Sequence, residues 1–293
     1  MSQGVEAIAG GSPAPAVTVP ERAALFFDVD GTLVWLDRSR VPEGGSFADL
    51  GPSEGVQDAF RALHERGHLA FLCTGRSLSI VNDKIMGLGF DGAISGGGSC
   101  VTVGDEIIHE DVIERDLLLE LVRRILDMDA SVLFESRETP VIVSSRPGAS
   151  SIFPEIPVAH SLEELERVAR ALSFCKFEQG GPLKGESIFE RDSIASLVRE
   201  HFDVYDMGMS MEAALKGVTK GSGIARVLRH VGHGPENTYA FGDSENDLPM
   251  FHAVQVKVAM GNSLPALLEQ ADYVTSCVKD DGVPHALRHF HLI

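Results

Sequence analysis

The run LFFDVDGTL, Leu25 to Leu33, sets two carboxylates two residues apart where an apolar strand ends. Leu25, Phe26 and Phe27 read as a buried parallel strand, and Gly31 breaks it. Open α/β sheets collect their ligands outside the carboxyl ends of the strands. Asp28 and Asp30 therefore arrive at a ligand-binding edge, with the side chain of Val29 turned the other way. Asp-Gly is also common turn chemistry, so a bare Asp-x-Asp-Gly is equally a solvated acidic turn. The two readings separate only on what the rest of the chain supplies.

Helix and strand patterns alternate on both sides of a long interruption. Val56 to Arg66, with apolar residues at Val56, Phe60 and Leu63, predicts a helix stopped by Gly67. His68 to Cys73 is a second buried strand that runs straight into Thr74-Gly75-Arg76, and Ala93 and Ile94 form a short third. The glycine run 96–98 reads as a hinge, as does the stretch Asp206 to Ala213. Between them, strands at Val132–Phe134, Val141–Val143 and Leu172–Phe177 mix with helices at Asp116–Met128, Leu162–Leu172 and Ser193–His201. The first texture returns with a helix over Lys220–Val231, strands over Thr238–Phe241 and Val256–Ala259, a helix over Leu264–Gln270 and a last strand over Tyr273–Thr275. The expected fold is α/β: a doubly wound, Rossmann-like parallel sheet from 21–100 and 207–293, interrupted by an α+β unit at 101–206. Residues 1–20, rich in Gly, Ala, Pro and Ser and without the basic start and long apolar centre of a signal peptide, read as a disordered leader.

Charge narrows the partners. With 25 Lys and Arg against 43 Asp and Glu, the chain carries a formal −18, which repels nucleic acid and anionic membrane surfaces. Acidic clusters suit hard cations such as Mg²⁺. No run of about 18 apolar residues is present to span a membrane. Cys73, Cys100, Cys175 and Cys277 are widely spaced and form no C-x-x-C pair, as expected of reduced thiols in a cytoplasmic protein. His285, His289 and His291 lack ligand spacing and read as surface residues. No G-x-G-x-x-G follows a strand, and GPLKGES at 181–187 lacks the spacing of a phosphate loop.

Four polar islands remain: Asp28-x-Asp30, Thr74, Lys220 at a helix start, and Gly242-Asp243-x-x-Asn246-Asp247. Each has a bland reading alone, and a lysine at a helix start even opposes the helix dipole. In this order they resemble the four motifs of the haloacid dehalogenase superfamily of phosphotransferases. More narrowly, LFFDVDGTL, CTGR, GVTKGSGI, AFGDSENDLPMF, VAMGN and KDDGVPHAL resemble the Cof-type sugar-phosphate phosphatases, whose large cap is inserted between the second and third motifs. The insert itself matches by position and length only.

The resemblance implies an Mg²⁺-dependent phosphatase of small phosphorylated metabolites, with Asp28 attacking phosphorus to give an aspartyl-phosphate. It implies Mg²⁺ on Asp28, the carbonyl of Asp30 and Asp243. Asp30 becomes the acid that protonates the leaving oxygen and then the base that activates water. Thr74, Gly75, Arg76, Lys220 and Asn246 are the expected phosphate and substrate contacts, and Asp247 a support for Lys220 or the metal. An acid at position 30 fits phosphatases and phosphomutases. A phosphomutase of the phosphomannomutase type is thus the alternative enzyme, and a non-catalytic phosphate-ligand sensor the alternative outside catalysis. Substrate selection is expected in the cap, with Arg137, Arg146, Lys176, Lys184 and Arg191 as basic candidates and Arg146 and Lys176 preferred among them. The expected assembly is a monomer or weak homodimer.

Overall fold

The computed structural model describes residues 22–45, 47–147, 156–169, 172, 174–180, 187–206 and 210–293. Its first sheet begins with β1 (Ala24–Phe27), β2 (Leu69–Cys73), β3 (Gly92–Ser95), β4 (Cys100–Val103) and β5 (Glu106–Glu110). The second holds β6 (Ser131–Ser136), β7 (Val141–Ser144), β8 (Val158–Ala159), β9 (Phe174–Gly180), β10 (Phe202–Asp206) and β11 (Ser210–Leu215). The first is completed by β12 (Thr238–Gly242), β13 (Val256–Ala259) and β14 (Tyr273–Val274), giving the order β14-β13-β12-β1-β2-β3-β4-β5. The six strands from β14 to β3 are parallel, and β4 and β5 close the edge antiparallel.

Strand β1 lies at the centre because it is apolar on both faces. Phe27 stacks on Phe241 of β12 with ring centroids 4.6 Å apart, and Phe26 stacks on Phe71 of β2 at 5.2 Å. The chain winds outward from β1 through β2 and β3, then returns through β12 to β14 on the other side. The switch point therefore falls between β1 and β12, where ligands of such sheets bind. In register, Phe27 faces Leu72 and Phe241, so Asp28, Thr74 and Asp243 all leave the sheet at one edge.

Helices α1 (Glu54–Glu65), α2 (Asp83–Met86), α3 (Arg115–Leu126), α4 (Leu162–Val168), α5 (Asp192–His201), α6 (Lys220–Val231), α7 (Leu248–Phe251), α8 (Pro265–Leu268) and α9 (Gly282–His289) complete the described elements. The second sheet, ordered β10-β11-β9-β6-β7-β8, packs Phe134, Phe177 and Ala213 against Leu118, Leu121 and Ile125 of α3 and Ile194 and Val198 of α5. A bulge in the β6–β9 pairing sets Phe174 opposite Ser136 and Lys176 opposite Glu135. Phe177 thus joins the apolar face while Lys176 takes the other.

Several expectations shift. The strands at 100–110 belong to the first sheet, and the second sheet runs on to Leu215, so the sheet boundaries fall later than 101 and 206. The glycine run at 96–98 is no hinge but a buried turn from β3 to β4, where a Cβ on Gly98 would sit 2.2 Å from the Thr219 carbonyl oxygen. Nor is Asp206 to Ala213 a simple hinge, since β11 begins at Ser210. Helix α4 stops at Val168 and β9 starts at Phe174. His285, His289 and His291 are exposed, as expected. The leader at 1–20, Lys184 and all of GPLKGES except Ser187 lie outside the described residues.

Candidate active site

Asp28 caps β1, its backbone N–H donating to Phe241 carbonyl oxygen at 3.0 Å, and its carboxylate is buried. Lys220 reaches it from the start of α6. There Thr219 is the N-cap of a reciprocal capping box, its hydroxyl accepting from the Ser222 N–H while the Ser222 hydroxyl accepts from the Thr219 N–H, each at 3.1 Å. The box pins the helix start in spite of a lysine that opposes the dipole. Nζ of Lys220 donates to Asp28 Oδ1 and Asp247 Oδ1, both at 2.6 Å, and to Asn246 Oδ1 at 3.3 Å. Asp247 turns its other oxygen to the backbone, accepting from the N–H groups of Asp243 and Ser244 at 2.9 and 3.1 Å. It therefore builds the turn after β12 and orients the lysine at once.

Asp243 is the misfit of this set. Its Oδ2 accepts from Asn262 Nδ2 at 3.2 Å, while Oδ1 is buried with no hydrogen-bond partner. Oxygens of Asp28, Asp243 and Asp247 lie within 4.8 Å of one another, with one buried ammonium among them. Burial pushes the Asp28 carboxyl up to about 7 although Lys220 opposes it, and burial together with Asp28 and Asp247 pushes Asp243 up to about 9. Lys220 is held well above its ordinary value, because Asp247 and Asp28 outweigh the effect of its burial. Hard oxygen donors, an orphaned buried oxygen and too little positive charge fit a divalent cation such as Mg²⁺ held by Asp28 and Asp243. Gly31 makes room for this arrangement: its φ is +82°, and a Cβ there would lie 2.1 Å from Asp243 Oδ2.

Asp30 and Arg76 meet each other, which sequence reading does not foresee. Arg76 Nε and Nη2 donate to Asp30 Oδ2 and Oδ1 at 2.8 and 2.5 Å, so this arginine clamps the acid in a bidentate pair. Thr74 is buried at the end of β2, where its hydroxyl accepts from the Arg76 N–H at 3.0 Å and keeps its own proton to donate. Gly75 lies between them, and a Cβ there would come within 3.4 Å of Asn246 Nδ2. All nine expected core residues thus gather at the one sheet edge.

The cap residues divide. Lys176 is buried, with Nζ 3.0 Å from Glu135 Oε1 and 2.5 Å from Glu212 Oε2. Glu135 Oε2 accepts from the Ser77 N–H of the core at 2.8 Å. Arg146 pairs with Asp129, and Arg137 with Glu110 and Glu138, all toward solvent. Arg191 precedes α5. Sequence reading passed over Glu135, Glu212 and Asn262, whose Nδ2 also donates to the Gly31 carbonyl at 2.8 Å. Asn262 sits one residue beyond a glycine after a strand, a position that offers a signal; the two glutamates offer none.

Comparison with known proteins agrees with this geometry. Residues 25–287 match the model of the haloacid dehalogenase-like hydrolases. YkrA of Bacillus subtilis, provisionally named a phosphatase, is 28% identical over 92% of this chain and 98% of its own. A phosphoglycolate phosphatase of Methanothermobacter thermautotrophicus is 42% identical over 36% of this chain and half of its own. A solved sugar phosphatase of haloacid dehalogenase subclass IIB superposes with a TM-score of 0.73 at 25% identity, over 92% of this chain and all of its own. A Bacteroides thetaiotaomicron phosphatase structure, 23% identical, gives 0.74 over 97% of this chain and all of its own, a likeness of fold. Among the described residues no helix is long and apolar enough to cross a membrane. The chain belongs to the haloacid dehalogenase superfamily, among its Cof-type capped phosphatases, and is a phosphoric monoester hydrolase.

Proposed function

We propose that the chain hydrolyses small phosphomonoesters, sugar phosphates in particular, through an aspartyl-phosphate on Asp28 with Mg²⁺ as cofactor. The observation that carries this reading is one buried ammonium, Lys220, set among Asp28, Asp247 and an Asp243 with an unsatisfied oxygen. The sugar phosphatase named among its solved neighbours supports the substrate class.

Bound Mg²⁺ would supply the positive charge that lets a carboxylate approach a phosphate dianion. Lys220 fixes the rotation of Asp28 by holding Oδ1 and adds its own charge to the developing phosphorane oxygens. The Thr74 hydroxyl donates to a phosphoryl oxygen. An Asp28 oxygen forms the new bond to phosphorus as the ester P–O bond breaks, and Asp30 hands its proton to the leaving oxygen. Asp30 then takes a proton from water as that water attacks phosphorus, releasing phosphate and restoring Asp28. Arg76 keeps Asp30 in place through both steps.

The test is phosphate release from sugar phosphates and p-nitrophenyl phosphate, with Mg²⁺ or EDTA, for wild type and Asp28→Asn. Metal-dependent release that the substitution abolishes is expected. Release that survives Asp28→Asn refutes the covalent route. A folded wild type with Mg²⁺ that releases nothing refutes the hydrolase.

A further inference from the structure

The cap turns one face of its sheet to the core, and that face is charged. Lys176 and Glu178 on β9 share it with Glu135 on β6 and Glu212 on β11, opposite the phenylalanine-lined face under the helices. It closes on the loop after β2. Glu135 takes the Ser77 N–H, and a Cβ on Gly75 would lie 3.4 Å from Glu212 Oε2 and 3.9 Å from Lys176 Nζ. The same Gly75 position lies 3.4 Å from Asn246 Nδ2, so Glu212 stands across one glycine from an amide that touches Lys220.

Beside this contact lies a narrow cleft between the two sheets, with room for about one water. The core lines it with Lys220, Asn246 and Thr219, and the cap with Glu212, Tyr205 and Ala214. A phosphoryl group held at Asp28 and Lys220 would turn its leaving group toward these cap side chains, which must part to admit it. Lys220 is the cleft's only cation among the described residues, and Asp28 and Asp247 already match it. Lys176, the basic cap residue nearest the site among the described residues, is matched twice over. Burial alone would push its ammonium down, but Glu135 and Glu212, with Glu178, outweigh that and hold it above its ordinary value. One ammonium against two carboxylates leaves a negative charge in surplus, and Glu212 presents it to the cleft. A buried ion cluster of this kind is held by its neighbours and does not swing to a new partner without leaving a charge unpaired.

We propose that Glu212, anchored through Lys176 and Glu135, is a specificity-determining residue that selects phosphomonoesters with an uncharged polyol or amine-bearing leaving group and rejects those carrying a second anion. This rests on the phosphatase reading above. Hydroxyls and ammonium groups donate to a carboxylate, and the Tyr205 phenol, which also lines the cleft, is a further partner. A carboxylate or second phosphate meets Glu212, and among the described residues that line the cleft no unmatched cation answers it.

Matched pairs isolate the charge. Sorbitol 6-phosphate and 6-phosphogluconate are both open chains that differ by one negative charge, and glucose 6-phosphate and glucosamine 6-phosphate are both rings that differ by one positive charge. Wild type is expected to give kcat/KM at least about ten-fold lower for 6-phosphogluconate than for sorbitol 6-phosphate, with glucosamine 6-phosphate equal to or better than glucose 6-phosphate. Rising salt should narrow the gap, a reading that needs no variant. Glu212→Gln should collapse the ratio towards one, chiefly by raising the value for 6-phosphogluconate. Equal or better use of 6-phosphogluconate by wild type overturns the proposal, as does a folded Glu212→Gln with an unchanged ratio. p-Nitrophenyl phosphate keeps the two readings apart. If wild type turns it over without discriminating by charge, only the proposal fails; if wild type releases phosphate from no compound, the phosphatase reading fails and takes the proposal with it.

Discussion

Replacing Gly31 by alanine tests whether the glycine exists for Asp243. Two costs can be read from the geometry. The backbone at φ +82° disfavours any residue with a Cβ by about 1–2 kcal/mol. The new methyl would also lie 2.1 Å from Asp243 Oδ2, so that carboxylate must retreat by roughly 1 Å or more and give up its bond from Asn262, about 1 kcal/mol further. The sum is about 2–3 kcal/mol, or about 5 °C in melting temperature for a chain of this size. Activity should fall by about 100-fold, because a displacement near 1 Å at a reacting centre costs that much. The decisive assay is a double-mutant cycle in urea with Asp243→Ala. In that background only the backbone cost of Gly31→Ala should remain, leaving a coupling of about 1 kcal/mol or more. An equal cost in both backgrounds refutes the reasoning, because the glycine would then answer to its φ alone.

Asp243→Asn should raise the melting temperature in EDTA at pH 8.5 by several degrees and abolish the increment given by Mg²⁺. The sign follows from folded values of about 7 and 9 for Asp28 and Asp243 against an unfolded 3.8. Their contribution is fully present below 3.8 and is lost as pH rises through 7 to 9, so an EDTA-treated wild type no less stable at pH 8.5 than at pH 5.5, relative to the variant, contradicts it. Arg76→Ala should leave the fold intact and lower kcat by about 100-fold by freeing Asp30, with KM for p-nitrophenyl phosphate changed less; equal changes in both would make Arg76 a binding residue instead. His68 accepts the Ala23 N–H at Nδ1, and burial lowers its ionisation below the ordinary 6.5. Its contribution is present above pH 6.5 and lost as pH falls through the lower folded value, so His68→Gln should lose less stability than wild type between pH 7.5 and 5.5 in urea melts.

What the sequence reveals follows the range of the interactions involved. Asp28, Thr74 and Asp243 were legible because each directly follows a run of buried strand residues, and strand order alone takes them to one edge. Arg76 was legible as a residue of this edge, but its clamp on Asp30 was not, because that partner lies 46 positions away and enters only through the pairing of β1 with β2. Lys176 was legible as a strand residue of the cap. Its neutralisation was invisible, since Glu135 and Glu212 reach it from two other strands through a register that a bulge sets. Strands β5 and β11 escaped for local reasons. EIIHE is mostly exposed and lacks clean alternation, and SMEAAL is short of the branched residues that favour strands.

The pairing of β1 with β12 also fixes when this protein can first act. Asp28 leaves the ribosome well before the lysine that holds it, which lies 192 positions downstream, and β12 follows later still. Until then β1 has β2 on one side and an open edge on the other, an aromatic strand awaiting a partner. The second sheet draws its strands from one unbroken stretch of chain and can close in the meantime. A nascent chain would therefore carry a finished roof over an unfinished floor, and activity could not appear before translation delivers the GDSEND turn.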